Sequence, residues 1–350
     1  MADLSVSRIP ADWYPAPAEL ASTLELPGPQ LRERWKYTRQ DKVLALLEQL
    51  AEDRLQSPQQ ETADTESALP DVVRLLSETP TVITALQSTT ALECVTLAHG
   101  DTHSLSDDAP LCAMHIRVPA GCTARLDEIY QHAQPLARLV WIEVDSGAAL
   151  THNRQFQQAQ SQWHYLHVTL ADGASYDLHN HSLGAQLMRQ DILVDLAGQG
   201  SHARLMGSAV VAESLHLDQQ VRLQHLAPQA ISHQTFHSIA GDRANLTFGG
   251  RIHIHPDCDG TDAQLQNKNL ALSDNVTINT KPELEIYSED VSCAHGATVG
   301  RLDEAHTFYC QARGIDPLQA RKLLSQAFIL AATGGPLAEA ANDMYQGVLT

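Results

Sequence analysis

A cysteine and a histidine stand two residues apart near the C-terminal end of the sequence, in the segment VSCAHG that begins at Val291. If this segment is extended, the side chains of Cys293 and His295 point to the same face, because the side-chain period of a strand is two. A thiolate and an imidazole can both bind iron–sulfur clusters, although a complete site usually needs four ligands. The pair therefore predicts half of a metal or sulfur site. The structural alternative is a turn in which Cys293 packs inward and His295 bonds a backbone carbonyl.

Four carboxylates precede this pair, at Glu283, Glu285, Glu289 and Asp290. Two carboxylates at i and i+2 on one strand could serve as a glycosidase pair, which needs a separation of roughly 5–9.5 Å. They could equally take up iron. They could also form a solvated acidic surface, because the whole chain is acidic, with 42 acidic and 23 basic residues and a formal net charge of −19.

Histidines are concentrated in the middle of the sequence, where 12 of the 18 fall between His152 and His255. The pairs His179/His181 and His253/His255 each have the i, i+2 spacing that places two imidazoles on one strand face. A metal site is conceivable with such pairs, but no carboxylates accompany them at a recurring spacing. We therefore predict that these histidines are outward-facing polar residues.

Composition and charge exclude several classes of partner. The acidic balance disfavours nucleic acids and anionic membranes, both of which attract basic surfaces. No apolar run reaches 18 residues, so no membrane span is expected, and the N-terminus shows no signal-peptide pattern. The six cysteines form no CxxC motif, which predicts reduced thiols in a cytoplasmic protein.

The elements that would position these residues change character along the chain. From about residue 81 to 291, short apolar pairs alternate with polar residues and are followed by turn residues, which is typical of a β-sandwich or a β-solenoid. Periodicity alone leaves both folds open. The pairs include Val140/Ile142, Leu166/Val168, Ile192/Val194, Val221/Leu223, Ile252/Ile254 and Leu284/Ile286. Proline at position 282 is expected to end the regular structure before it.

Helical periodicity flanks the strand region on both sides. On the N-terminal side, a Pro- and Ala-rich arm leads into an apolar face that includes Leu46 and Leu50. On the C-terminal side, one helix is predicted to begin after Leu302 and to end at Gly314. A second is predicted to begin at Asp316-Pro317. Its apolar stripe would consist of Ala320, Leu323, Leu324, Ala327, Phe328 and Ala331. A third short helix would follow Pro336.

The C-terminal motifs resemble the SufB/SufD family of iron–sulfur cluster assembly proteins, and in particular its SufD members. The resemblance rests on KPELEIYSEDVSCAHGATVG at 281–300, on LDEAHTFYCQARGI at 302–315 and on QARKLLSQAF at 319–328. It covers roughly residues 227–328, with a weaker echo in WKYT at 35–38. Cys310 stands where a leucine is expected.

The resemblance implies a mainly β fold: a right-handed parallel β-helix core flanked by N-terminal and C-terminal helical regions. The implied organisation is an N-terminal arm and helical region at 1–80, a β-helix core at 81–300 and a C-terminal helical region at 301–350. It adds the choice of a solenoid over a sandwich, which the spacing of the apolar pairs leaves open.

The resemblance also implies a function as a non-enzymatic scaffold that pairs with SufB and recruits the ABC-type ATPase SufC. His295 and Cys293 would bind a nascent, transient iron–sulfur cluster shared with SufB, with none held tightly by the isolated chain. SufC would bind the C-terminal helices through Phe308, Tyr309, Arg313, Leu323, Leu324 and Phe328. The isolated chain could also pair with itself through exposed strand edges.

Motifs of common enzyme classes are missing from the sequence. There is no Walker A sequence, dinucleotide fingerprint, GxSxG or HExxH. This favours a scaffold. Two alternatives stay open: a SufB-like primary scaffold, and a carbohydrate-acting β-helix enzyme that would use Glu283 and Glu285. The low aromatic content of 5% disfavours the second, because sugar-binding grooves usually need aromatic rings.

Overall fold

The computed structural model describes residues 93–105, 111–130, 135–157 and 159–348, together with Lys42, Ala45, Leu46 and Leu50. Most of this part of the chain is strand, arranged in two eight-stranded sheets. Sheet A contains the odd-numbered strands: β1 (Glu93–Thr96), β3 (Leu111–Val118), β5 (Leu136–Val144), β7 (Ala159–Leu170), β9 (Ala185–Leu196), β11 (His216–His225), β13 (Asn245–Ile254) and β15 (Thr277–Ile286). Sheet B contains the even-numbered strands: β2 (Thr102–Leu105), β4 (Thr123–Tyr130), β6 (Ala149–Phe156), β8 (Ser175–Ser182), β10 (His202–Val211), β12 (Ile231–Ala240), β14 (Thr261–Ala271) and β16 (Val291–Gly300).

Every strand pairs in parallel with the next strand but one in the sequence, so the chain alternates between the two sheets as it winds. This is a parallel β-solenoid, and the predicted β-helix is confirmed. Adjacent coils are stacked in register: Val194 lies opposite Leu223, and Leu223 lies opposite Ile252. The stacking places like positions of successive coils in columns that run along the solenoid.

The interior of sheet A follows the period-two pattern of the sequence. Residues Ile192, Val194 and Leu196 on β9 are all completely buried, as are Ile252 and Ile254 on β13. Strands with such runs of branched apolar residues suit a parallel sheet whose faces are covered. These alternating apolar positions were correctly predicted to face the core.

Tight turns join the strands, and stacked glycines supply the backbone conformation that these turns need. Gly147 and Gly173 occupy equivalent turns and both have positive φ, at 66° and 62°. The N–H of Gly147 donates to the carbonyl of Asp172, and the N–H of Gly173 donates to the carbonyl of Gln199. Glycine adopts this left-handed conformation without the steric cost that a Cβ atom brings.

The expectation that Pro282 ends regular structure is wrong. Strand β15 continues through Pro282, which lies in register with Gly250 of β13. Strand β15 is the last strand of sheet A, so one of its edges has no neighbouring strand within the described chain. An edge strand tolerates the missing N–H of proline because that position can face away from the ladder.

Three helices follow the solenoid: α1 (Glu304–Gln311), α2 (Pro317–Leu330) and α3 (Ala338–Gln346). The predicted signals at the start of α2 are confirmed. The side chain of Asp316 accepts hydrogen bonds from the N–H groups of Leu318 and Gln319, and Pro317 occupies the first turn. Gly314 ends the preceding segment with a φ of 82°.

The predicted apolar stripe of α2 is only partly the buried face. Ala320, Ser325 and Ile329 are buried, whereas Leu323 is 44% exposed. The sequence contains more apolar positions than one docking face can cover, so the helix leaves some of them at the surface. The contacts with sheet B decide which positions are covered.

Helices α2 and α3 pack on the outer face of sheet B. Ile329, Ala341 and Tyr345 form one apolar cluster with Val210 of β10 and Ile239 of β12. Beyond the solenoid, Leu46 and Leu50 are helical and buried, as their spacing predicted. The predicted N-terminal arm lies outside the described residues, and the domain boundaries stay predictions. None of the helices in the described segments is long and apolar enough to cross a membrane.

Candidate functional site

Strand β16 carries the cysteine–histidine pair at the C-terminal end of the solenoid. It is the last strand of sheet B and pairs with β14 on one side only within the described chain. Sheet A ends at the same place with β15. The end of the solenoid is therefore open there, with free backbone groups on two neighbouring strand edges that can accept another strand.

Cys293 and His295 continue the interior columns of sheet B. Cys293 lies opposite Ala263, and His295 lies opposite Leu265, and both of these β14 residues are buried. Because no further coil covers β16, Cys293 is only partly buried and His295 is exposed. The predicted same-face arrangement is thus present, at positions where the sequence of the solenoid normally places core residues.

The environment of Cys293 keeps its sulfur protonated in the absence of a metal. Partial burial raises the pKa of the Cys293 thiol, the charge of Asp262 raises it further, and a backbone hydrogen bond at Ala263 opposes both. Cys293 also packs against the end of the apolar core. Since thiolate is the form that binds metals, ligand binding here would release a proton.

Within the described residues, the pair is not part of a larger ligand cluster. Among the residues that the structure describes, no three His, Cys, Asp or Glu side chains converge in a way that could hold a metal ion. The paired histidines face outward from the sheets. His253 and His255 stack at 4.0 Å between ring centroids, whereas His181 is covered by the C-terminal segment through its contact with Gly334.

The nearby carboxylates are engaged with basic side chains or exposed. Glu283 lies 3.1 Å from the ammonium of Lys281, and Glu285 lies 2.6 Å from the guanidinium of Arg251. Glu289 and Asp290 are exposed in the turn between β15 and β16. This arrangement gives no particular support to a glycosidase pair formed by Glu283 and Glu285.

The residues predicted to bind a partner divide into an exposed set and a packed set. Phe308 and Tyr309 on α1 are 71% and 58% exposed, and the guanidinium of Arg313 lies 3.4 Å from the centre of the Tyr309 ring. Leu323 on α2 is also exposed, and Leu324 is partly buried. Phe328 is different, because it packs against the apolar cluster under α2 and α3. Only the exposed set is directly accessible to another protein.

A polar contact that the sequence did not reveal anchors the helices to sheet B. The hydroxyl of Tyr345 donates to the carbonyl of Ser208 at 2.6 Å, and the Ser208 hydroxyl lies 2.7 Å from His181 Nδ1. His237 Nδ1 donates to the carbonyl of Phe328 at 2.9 Å. The outward-facing histidines thus serve partly as a docking surface for α2 and α3. The i, i+2 spacing of His179 and His181 was a signal in the sequence, whereas His237 has no histidine at that spacing.

Comparison with known protein families gives one match that spans most of the solenoid and reaches into α2. Residues 98–328 match the model described as the SufBD core domain of SUF-system FeS cluster assembly. The matched range contains the cysteine–histidine pair and the exposed residues of α1. It leaves out the N-terminal segment and α3.

Individual relatives are also named as iron–sulfur cluster assembly proteins. The chain is 32% identical to the iron–sulfur cluster assembly protein SufD of Escherichia coli over 189 residues, 53% of this chain and 45% of that protein. It is 25% identical to the iron–sulfur cluster assembly protein SufB of Bacillus subtilis over 158 residues, 45% of this chain and 34% of that protein. The matched regions thus cover less than half of the length of these relatives.

Proposed function

The chain belongs to the SufBD core family of the SUF iron–sulfur cluster assembly system, and we propose that it acts as a SufD-like scaffold subunit of that system. In this role it pairs with a SufB-type chain, binds a SufC-type ATPase, and works in the cytoplasm without catalysing a reaction of its own. The higher identity to a SufD than to a SufB protein supports the SufD-like assignment.

The observation that carries the proposal is the position of Cys293 and His295 at the open end of the solenoid. Two ligands cannot complete an iron–sulfur site, which usually has four. The free edges of β15 and β16 offer backbone groups to a strand from another chain. A partner bound at this end would bring its own thiolates or carboxylates next to the pair. The nascent cluster is then a cargo held between two chains, and the isolated chain holds little iron.

Replacement of His295 tests this assignment. In a complex of this chain with SufB and SufC partners, His295→Ala should lower the yield of assembled cluster while the complex still forms. The yield is measured by visible absorbance and by iron and sulfide content per complex. His233→Ala is the matched control, because His233 is also a histidine of sheet B that solvent reaches, with a side chain 44% exposed, but it lies on the outer face. An unchanged yield in His295→Ala would remove this residue from the site.

The exposed surface of α1 supports the proposed contact with the ATPase. Phe308 and Tyr309 present large apolar side chains to solvent next to Arg313, a composition that is common at protein interfaces. Phe308→Ser should weaken binding of the SufC partner at least tenfold without lowering the thermal stability of the chain, as measured by titration calorimetry and thermal denaturation. Phe328→Ser is the contrasting variant. Because Phe328 packs in the cluster under the helices, its replacement should lower stability.

The similarity to a SufB protein keeps a SufB-like primary scaffold as a second candidate. The two functions differ in the number of chains that a cluster needs. A SufB-like scaffold would assemble a stable cluster on this chain after reconstitution with iron and sulfide. The SufD-like function predicts a nearly colourless isolated chain, which either stays monomeric or pairs with itself through the same free edges. Light scattering and iron analysis of the isolated chain separate the two candidates.

A further inference from the structure

Two histidines lie side by side on the outer face of sheet A, close to the turns that lead to sheet B. His253 is on β13 and His255 directly follows this strand, whereas Ile252 and Ile254 between and before them are buried in the core. The two imidazole rings are stacked, with 4.0 Å between their centroids and 19° between their planes. Both side chains are only partly buried. A dissolved ion can therefore reach two neighbouring imidazoles on one surface.

The contacts of the two rings place their Nε2 atoms on the same side. His253 Nδ1 faces β15, where it lies 4.0 Å from the carboxylate of Glu285. Because Nε2 is on the opposite side of an imidazole ring from Nδ1, His253 Nε2 is turned towards β11, the other neighbour of β13. His255 Nε2 also faces β11, because it lies 3.3 Å from Gln224 Oε1 on that strand. Two ring nitrogens and one amide oxygen are thus directed to the same place.

Hydrogen bonds along the outer face of sheet A hold Gln224 in this orientation. Its Nε2 donates to Asp195 Oδ1 on β9 at 3.0 Å, which leaves Oε1 as the amide atom that faces the histidines. The other carboxylate oxygen of Asp195 lies 2.8 Å from His167 Nε2 on β7. Asp195 is therefore fixed by His167 and in turn fixes the amide of Gln224. Carboxylates commonly orient metal ligands in proteins in this way.

Two imidazole nitrogens and an amide oxygen match the ligand preference of divalent nickel and copper, which form tetragonal sites with nitrogen and oxygen donors. In such sites neighbouring ligands meet the ion at right angles. A right angle brings two imidazole rings closer together than the tetrahedral angle of a structural zinc site does. The separation of 4.0 Å between the ring centroids of His253 and His255 favours the right-angled arrangement. The carboxylate of Asp195, behind Gln224, adds a negative charge that favours a cation.

The other histidine pair with this spacing does not offer a comparable surface. His179 and His181 are buried, and His181 Nε2 lies 3.2 Å from the carbonyl oxygen of Gly334 in the C-terminal segment. The cysteine–histidine pair at the open end is also separate, because it lies on the interior side of β16 in sheet B. Of the two i, i+2 histidine pairs, His253/His255 is the one that a dissolved ion can reach.

We propose that His253, His255 and Gln224 bind a divalent transition-metal ion of the nickel and copper type, through Nε2 of each histidine and Oε1 of the amide, with water in the remaining positions. The ion replaces the contact between His255 Nε2 and Gln224 Oε1, and the hydrogen of each imidazole then resides on Nδ1. For His253 this hydrogen faces the carboxylate of Glu285, whose negative charge favours that tautomer. The inference is independent of the proposed function in cluster assembly, because it concerns the outer face of sheet A.

Ni²⁺ is the probe that tests the proposal, by isothermal titration calorimetry of the full chain. His253→Gln and His255→Gln should each weaken Ni²⁺ binding by roughly tenfold or more, and Gln224→Leu should weaken it by a smaller factor. His233→Gln is the matched control and should retain the binding. His233 is also a partly exposed histidine with a second one nearby, but its ring lies 6.4 Å from that of His202 and nearly perpendicular to it. Unchanged Ni²⁺ binding in both His253→Gln and His255→Gln would overturn the proposal.

Crystals of the unmodified chain grown with Ni²⁺ provide a second measurement that does not depend on the folding of a variant. Diffraction data collected above the nickel absorption edge locate the ion. The expected result is an anomalous peak within bonding distance of Nε2 of both His253 and His255. Anomalous peaks at other residues only, such as His233 or Cys293, would assign the Ni²⁺ binding seen in solution to those residues and would overturn the proposal.

Discussion

The two sheets of the solenoid have the same strand number and the same parallel register, but two matching interior columns are built from different residues. One interior column of sheet A consists of branched apolar residues: Ile116, Ile142, Val168, Val194, Leu223, Ile252 and Leu284. The corresponding column of sheet B alternates in character: Leu126, His152, Leu178, Leu205, Gln234, Leu265 and His295. The column of sheet A is therefore stabilised mainly by packing, whereas the column of sheet B also contains buried polar side chains, His152 and Gln234.

Apolar and polar columns contribute to the stability of the solenoid in different ways. Apolar columns specify the coil without requiring particular partners, so each residue contributes mainly through burial. Polar columns are stabilising only where every group finds a partner, and they make each residue depend on specific neighbours. In sheet B, such residues form the buried Glu128–Arg154 pair, the docking surface for α2 and α3, and the cysteine–histidine pair. Sheet A has them too, as in the buried ion pair of Arg189 with Asp218.

The largest effect is expected from breaking the buried ion pair of sheet B, in which Arg154 Nε lies 3.3 Å from the carboxylate of Glu128. Glu128→Gln leaves Arg154 without its carboxylate and should lower the free energy of unfolding by about 3–5 kcal/mol. Urea denaturation of the isolated chain measures the change. The control is Glu285→Gln, which removes a carboxylate from a partly exposed pair with Arg251 and should cost about 1 kcal/mol or less. Equal costs for the two variants would contradict the importance of the buried pair.

The next effect compares the same truncation in the two sheets. Leu223→Ala in sheet A removes a completely buried side chain between Val194 and Ile252 and should cost about 3–4 kcal/mol. Leu205→Ala in sheet B should cost about 2 kcal/mol, because the flexible side chain of its neighbour Gln234 can move into the space. Thermal and urea denaturation of both variants give the comparison. A larger cost for Leu205→Ala would show that polar neighbours do not soften the interior of sheet B.

The contrast between the sheets also explains what could be read from the sequence. The apolar pairs that predicted strands, such as Ile192/Val194 and Ile252/Ile254, lie in sheet A. Strand β8 of sheet B has the sequence SYDLHNHS, whose second half shows no alternation of hydrophobicity. His179 and His181 in this half face outward but are buried under the C-terminal segment. The choice of a solenoid over a sandwich therefore came from the family resemblance.

The candidate site was readable in its local geometry but not in its surroundings. The spacing of Cys293 and His295 predicted a shared face, and the structure places both on the interior side of the last strand. That β16 ends the sheet depends on the chain leaving for α1 instead of forming another coil. Likewise, the predicted stripe of α2 included Leu323, which is exposed, and left out Ile329, which is buried, because docking on sheet B selects the covered face.

Acid should weaken both sheets through buried histidines. Burial lowers the pKa of His181, under the helices on sheet B, to about 4, and it lowers the pKa of His225 on sheet A to about 4. In the unfolded chain, these histidines bind a proton near pH 6.5. Between pH 6.5 and 4 they are therefore protonated in the unfolded chain but mostly neutral in the folded chain. Stability should thus be fully present above about pH 6.5 and fall as the pH drops towards 4, by about 2–3 kcal/mol for each histidine.

Urea denaturation between pH 7 and 4.5 checks this dependence. His181→Gln and His225→Gln should each reduce the slope of stability against pH in that range. His233→Gln provides the comparison, because His233 is a histidine on the outer face of sheet B that is only partly buried. A slope that is the same in all three variants and the unmodified chain would assign the acid sensitivity to other groups.

The smallest effect separates polar residues that the solenoid interior needs from those that it only tolerates. Gln234 is buried, and neither polar atom of its side-chain amide has a hydrogen-bond partner. Gln234→Leu removes these unsatisfied groups next to Leu205 and Leu265, so the free energy of unfolding should stay equal or rise by up to about 1 kcal/mol. Gln190→Leu is the matched control, because the side-chain oxygen of Gln190 accepts hydrogen bonds from Asn180 and Gln219. This replacement should lower the free energy of unfolding by about 1–3 kcal/mol. Thermal denaturation of the two variants decides the question. If Gln234→Leu were as destabilising as Gln190→Leu, an ordered water would have to satisfy Gln234, and the polar interior would extend from the buried Glu128–Arg154 pair towards the open end that carries His295.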